Sequence, residues 1–240
     1  MTTETRVSAD GLNFDQFGKR YRKVDGDEKV TGRAVFGADF TAQGSLFAKI
    51  VRSPHAHARI LSIDTSEAEA MPGVETVCTA ADFPSEVSGD VDTGEVEIGI
   101  QFLANLIMGR RKALFEGHPV AAVAATDIHI AEEAAKLVKV EYDVLPAVTD
   151  PIEAMSSDAP LLHEGLIATS LSGSADQPSN IAGHMEGGKG DVEQGFAESD
   201  VVIERTYKTA LVHQGYIEPE AETVHWHADG RMDVWANSQG

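Results

Sequence analysis

The unbroken stretch from His118 to Val148 leaves this chain few ways to fold. Residues 118–125 read HPVAAVAA, a compact apolar run of strand length. Thr126 then offers a hydroxyl cap to the helix DIHIAEEAAKLV, in which Ile128, Ala131, Ala135 and Val138 recur at helical spacing and define one buried face. VKVEYDVLPAV follows at once as a second strand. A strand, a helix and a strand joined this tightly predict a crossover unit in a mixed or parallel sheet with the helix on one face. The fold class is therefore α/β or α+β.

Upstream, LFAKIVRS (46–53) and ARILSID (58–64) are β-rich runs separated by Pro54. GVETVCT (73–79) follows a short helical stretch from Ser66 to Met71, giving three strands around one small helix. Residues 85–99 are acidic, contain glycine and are poor in large apolar groups, which predicts an exposed loop with order resuming near Ala113. Residues 1–20 are polar and aperiodic and read as a loose arm.

From Ser156 to Gly190 the chain is rich in Ser, Gly, Asp and Pro, the composition of a linker or a long wrapping loop. A short helix at DVEQGFAESD comes next, then VVIERTYKTAL, TVHWH and MDVWANS as candidate strands. TVHWHADGRMDVWA sets Ala-Asp-Gly between alternating runs, a hairpin signal. A second, strand-rich region thus begins near the end of the sequence and lacks partners for its edges, so the chain is expected to be a fragment or one half of a split subunit.

At 240 residues, one or two domains with real cores are expected. The formal charge of -20, from 39 acidic against 19 basic residues, excludes a nucleic-acid backbone as main partner. Cys78 is the single cysteine, so no internal disulfide forms and no thiolate cage for an iron–sulfur cluster exists in this sequence. The opening residues lack the pattern of a secretory signal and no apolar run reaches membrane-spanning length, which predicts a cytoplasmic location.

Two His-x-His pairs, His55 with His57 and His225 with His227, would each face one side of a strand, as a metal site requires. Neither has a third ligand in a recognisable pattern, so both read as surface or packing histidines and no metal ligand is assigned. Cys78 sits in a run resembling a buried strand, without an activating neighbour. GGKGDVEQGF (187–196) lacks the spacing of a phosphate loop, and Gly117-His118-Pro119 reads as a turn admitting a strand. His213-Gln214-Gly215-Tyr216-Ile217-Glu218-Pro219 places polar groups beside a proline-ended turn, either to meet a substrate or as a solvent-facing corner.

Several short segments, taken in order, carry more than any one alone. They include Lys29-Val30-Thr31-Gly32-Arg33-Ala34 with Asp39-Phe40, Leu46-Phe47-Ala48, and Arg52 through Ala58. Met71-Pro72-Gly73-Val74, Ala81-Asp82-Phe83-Pro84, Gly117 through Ala121 and Val140 through Pro146 follow. This succession resembles the hammerhead domain of the molybdenum hydroxylase large subunit, in the xanthine dehydrogenase and aldehyde oxidase family. Gly190-Asp191-Val192, Phe196-Ala197, Ser199-Asp200-Val201-Val202 and His213 through Pro219 are similar to the beginning of that family's cofactor-binding region. Val234 through Gln239 resembles the segment whose glutamine approaches the molybdenum centre, with Ser238 in place of the usual threonine.

The resemblance implies an α+β (mixed α/β) chain: an arm over 1–28, a hammerhead domain over 29–150, a linker or wrapping loop over 151–190, and the truncated start of the molybdopterin-binding domain over 191–240. It implies an oxidoreductase that hydroxylates an electron-poor carbon of a small molecule with oxygen derived from water. Gln239 would lie near the metal, with His213 and Glu218 as candidates for the substrate channel. Molybdenum–molybdopterin would be held mainly by the remaining part of the subunit, where the base, a late glutamate, also belongs. Iron–sulfur clusters and FAD would reside on partner subunits. Two competing readings are a non-catalytic assembly module built on the hammerhead surface and a stand-alone hydrolase using the histidine pairs, which predicts bound zinc.

Overall fold

A computed structural model describes residues 19–92, 97–165, 167, 169–170, 173–174, 176–184 and 187–238. Contacts divide them into two units, one of Gly44–Lys208 and one in which residues up to 43 join those from Thr209 onward. The arm expected over 1–20 lies outside the described residues except for its last two. The latter unit opens with a short helix, α1 (Gly26–Val30), whose Lys29 pairs with Asp25 at 2.5 Å. Residues 29–43 therefore group with the C-terminal hairpin and not with the strands that follow them.

In the unit Gly44–Lys208 the elements run β1 (Phe47–Arg52), β2 (Ala58–Asp64), α2 (Ser66–Glu69) and β3 (Val74–Thr79). Next come β4 (Asp90–Asp92), β5 (Glu97–Gly99), α3 (Ile100–Ile107), β6 (Lys112–Ala113), β7 (Pro119–Ala125), α4 (Ile128–Leu137) and β8 (Lys139–Val144). One sheet has the order β1-β7-β3 and a second β6-β2-β8, with every pairing antiparallel. Strands β7 and β8 flank α4 in sequence yet lie in different sheets, which corrects the expected mixed or parallel crossover. The reason is that both edges of β7 are taken, by β1 and β3, so β8 pairs antiparallel with β2 instead.

The core forms where α2 and α4 meet the first sheet: Ala121 and Val123 of β7, Ala134 of α4, Ala68 of α2, and Val138. Alanines on both the central strand and the helix let the two backbones approach closely. Val123 is fully buried, a burial that contributes about 1.5–3 kcal/mol. The cap of α4 is Asp127 and not Thr126: the Asp127 carboxylate accepts the His129 amide at 2.8 Å. Thr126 instead faces the turn before β3, its amide donating to the Gly73 carbonyl at 2.9 Å and its hydroxyl to the same oxygen at 3.3 Å. Gly73 has φ 91°, and a Cβ there would meet Ile130 Cδ1 at 2.7 Å, so no other residue fits without strain.

The acidic region expected to be a plain loop contains the small antiparallel pair β4–β5 and leads into α3, a helix absent from the sequence reading. His118 holds the end of that helix. Its ring is fully buried, with Nε2–H donating to the Leu106 carbonyl at 3.1 Å while Nδ1 accepts the Leu114 amide at 3.1 Å. One tautomer thus satisfies a last-turn carbonyl of α3 and a loop amide together. Burial lowers the His118 pKa.

Past α5 (Pro151–Ala154), the chain wraps around the side-chain amide of Asn180, which donates to the Ala154 and Pro160 carbonyls and accepts the Leu162 amide. The pairs among β9 (Thr169–Ser170), β10 (Gly173–Ser174) and β11 (Gly183–His184) are only two residues long. α6 (Val192–Glu198) begins as expected, capped by Asp191 on the Gln194 amide at 2.9 Å. Residues 201–211, expected as a strand, form no ladder and stand exposed. Their apolar side chains find no partner strand among the described residues, and an unpaired strand does not persist. No helix among the described residues is long and apolar enough to cross a membrane.

The other unit ends in the predicted hairpin, β12 (Glu222–Trp226) and β13 (Met232–Ala236), paired Glu222↔Ala236 through Trp226↔Met232. Its turn is closed by the His227 amide donating to the Arg231 carbonyl at 2.8 Å. Gly230 supplies the φ of 88° that the turn requires.

Candidate functional site

Of the residues singled out for chemistry, His213 and Glu218 fall on the corner from His213 to Pro219, which precedes the hairpin whose second strand β13 ends at Ala236. Asn237 brings those two stretches together. Its Nδ2 donates to the Pro219 carbonyl at 2.8 Å and its Oδ1 accepts the Ala221 amide at 2.9 Å, fastening the strand end beside the corner. On the same hairpin Trp235 stacks on Phe40, with ring centroids 4.4 Å apart. Sequence reasoning passed over Asn237, although an amide side chain directly after an alternating strand is well suited to binding nearby backbone.

His213 is exposed and turned into its own loop, where Nδ1 accepts the Gly215 amide at 3.2 Å and the ring lies 5.1 Å from that of Tyr216. Glu218 is half-buried and accepts the Gly37 amide at 3.4 Å. It also faces Lys29, whose pKa is raised first by its hydrogen bond to Asp25 and more weakly by Glu218. Gln239 lies outside the described residues, one position beyond Ser238.

The two His-x-His pairs differ. His57 is buried, its Nδ1–H donating to the Pro146 carbonyl at 2.8 Å, while His55 packs edge-on against Tyr142 at 5.0 Å. That pair is divided between backbone bonding and ring packing. His225 and His227 share one face of β12 and its extension, and the register sets Asp233 directly opposite His225. His227 Nε2–H donates to the Asp233 carboxylate at 2.7 Å, and the two imidazole centroids are 4.3 Å apart. A third side chain of a type that can bind metal, absent from the linear pattern, is thus brought beside the two histidines across the strands.

In the unit Gly44–Lys208 a cleft of about 600 Å³ is lined by Gln101, Asn105, Arg110, Arg111, Lys112 and His163 among others. Its cations are partly engaged already. Arg110 donates to the Phe83 and Pro84 carbonyls, and Lys112 to the Leu162 carbonyl and the Glu164 carboxylate. His163 is held low by burial and then by the positive charge of Lys112. Cys78 is half-buried, and burial pushes its thiol up, away from the reactive thiolate.

Comparison with known proteins matches residues 31–146 to the aldehyde oxidase and xanthine dehydrogenase a/b hammerhead domain, and residues 174–240 to the molybdopterin cofactor-binding domain. The chain is 34% identical over 226 residues to the carbon monoxide dehydrogenase large chain of Afipia carboxidovorans, covering 90% of this chain and 26% of that one. It is 36% identical over 224 residues to subunit gamma of the 6-hydroxypseudooxynicotine dehydrogenase complex of Paenarthrobacter nicotinovorans, covering 91% and 26%. Among solved structures, a Cu,Mo-CO dehydrogenase in its carbon monoxide-reduced state superposes with a TM-score of 0.72 at 32% identity, over 91% of this chain and 27% of that one. The chain therefore spans about a quarter of the length of these relatives. With both domains matched in order along its length, the chain belongs to the xanthine dehydrogenase and aldehyde oxidase family of molybdenum hydroxylases, over the N-terminal part of their large subunit.

Proposed function

We propose that this chain forms the front of the molybdenum-cofactor subunit of a cytoplasmic hydroxylase, which places water-derived oxygen on an electron-poor carbon of a small molecule. Electrons leave through iron–sulfur and flavin groups on partner subunits, a division in keeping with the single Cys78 of this sequence. The observation that carries the reading is the ordered match to the hammerhead and molybdopterin-binding domains. Residues 29–150 serve as the hammerhead scaffold, 151–190 as the wrapping connection and 191–240 as the beginning of the cofactor domain.

Ile217 is 98% exposed and His213 and Tyr216 are open as well, so the described corner fits as one wall of a cofactor site and not as a cradle. When bound, the molybdenum group supplies the oxygen and accepts the electrons. What this chain adds is positioning: Asn237 fastens the strand end to the corner, and Gln239, two positions further along the sequence, would offer its side-chain amide as a hydrogen-bond donor to the cofactor. Glu218 ties the corner to the Gly37 amide, and His213 borders the substrate approach.

Turnover by the assembled enzyme, with Gln239 changed to Ala, tests this assignment. Loss of one such preorganised donor lowers kcat by about 10²–10³-fold. The molybdenum content is expected to stay unchanged. Undiminished turnover by the variant would remove Gln239 from the site.

A further inference from the structure

The geometry points to a divalent transition-metal site of the zinc class on the terminal hairpin, formed by His225, His227 and Asp233. The inference is independent of the catalytic reading, because these side chains lie on the hairpin's own turn end and need no cofactor.

Strand pleating puts residues 225 and 227 on one face, and the register brings Asp233 opposite His225 on that same face. One ligand atom from each of the three residues lies within 4.8 Å of the others. Zinc–nitrogen and zinc–oxygen bonds near 2.0–2.2 Å set ligand atoms of a tetrahedral centre about 3.4 Å apart. The 2.7 Å between His227 Nε2 and Asp233 and the 4.8 Å limit bracket that value, so side-chain rotation alone closes the site. The backbone is already fixed by the strand ladder and by the His227–Arg231 hydrogen bond.

A plain surface ion pair accounts for only part of this arrangement. It explains His227 and Asp233. It does not involve His225, an exposed ring with no hydrogen-bond partner among the described residues that lies 4.3 Å from the second imidazole. Two imidazoles and a carboxylate converging on one point have a common use in a shared cation. The arginine of the same turn is engaged elsewhere: Arg231 Nε donates to the Asp229 carboxylate at 2.8 Å.

Imidazole nitrogens select zinc, copper, nickel or cobalt over calcium or magnesium, which require oxygen ligands. Three protein ligands leave a fourth position for water. The ion would link β12 to β13 beside their turn and stiffen a two-stranded sheet, an element of marginal stability by itself.

The test is titration of the 240-residue chain, free of any affinity tag, with cobalt(II) as the spectroscopic probe, followed by displacement with zinc. The expected result is one equivalent of cobalt with the visible absorption of a four-coordinate centre, displaced by one equivalent of zinc. Asp233→Asn and His225→Gln each weaken binding by about 10- to 100-fold or more, judged against the loss from changes merely supporting a ligand. His129→Gln, an exposed histidine on α4, leaves it unchanged. His225→Gln removes an exposed side chain with no hydrogen bond, so it keeps the test valid should Asp233→Asn disturb the hairpin. Absence of the four-coordinate spectrum, or binding that survives both substitutions, overturns the site.

Discussion

Asn237 donates its side-chain amide to the Pro219 carbonyl across 2.8 Å, and this bond fixes where the last strand ends relative to the corner that precedes the hairpin. The same side chain accepts the Ala221 amide. Replacing Asn237 with Ala leaves both backbone groups to water or unpaired and is expected to cost about 1–2 kcal/mol. Asn237→Asp keeps the acceptor and loses the donor, so it should fall between the two. Urea unfolding of the chain followed by tryptophan fluorescence measures both, since Trp235 reports from the same hairpin.

His118 carries a second prediction, one that depends on pH. Burial places its folded-state pKa below the ordinary imidazole value of 6.5, so the unfolded chain binds its proton more readily than the folded one. The associated stability is fully present above pH 6.5 and is lost as pH falls from there through the folded pKa. His163 is lowered as well and adds in the same direction. Unfolding free energies measured from pH 8 to pH 5 should therefore decline, and His118→Gln should flatten part of that slope. An unchanged slope would mean that the ring is not held neutral.

The start of α4 separates two adjacent residues. Asp127→Ala removes the cap on the His129 amide and should cost about 1 kcal/mol, within the range of 0.5–2 known for such caps. Thr126→Ala removes only a 3.3 Å hydroxyl contact to Gly73 at an exposed position and should cost less. Thermal unfolding of the two variants side by side decides the order.

Strands β1, β2, β3, β7 and β8 and helix α4 were legible because their apolar spacing is local and their breaks are marked by Pro54, Gly73 and Gly117. Which strands pair was not. β8 joins β2 across a long sequence separation because β7 has no free edge, and no short window contains that fact. α3 was missed behind its acidic approach, although Ile100, Leu103, Leu106 and Ile107 already mark one helical face. At the candidate site, the corner holding His213 and Glu218 stood out by its polar groups beside a proline-ended turn, while Gln239 was reached only through family resemblance. Asp233 was not reached, because its place beside the two histidines follows from hairpin register and not from linear spacing. Counting back from the Ala-Asp-Gly turn sets position 233 opposite 225, so the signal was present.

If this chain is the front of a molybdenum-cofactor subunit, the metal and pterin content of a reassembled enzyme shows it most directly. The chain is co-produced with the remaining part of the large subunit and the partner subunits, and the purified complex is assayed for molybdenum and molybdopterin. Both are expected in stoichiometric amount in the complex, and neither is expected to be held by residues 1–240 alone. A complex that assembles without molybdenum or pterin, leaving the chain a scaffold only, would contradict it, as would tight molybdopterin binding by this chain in isolation.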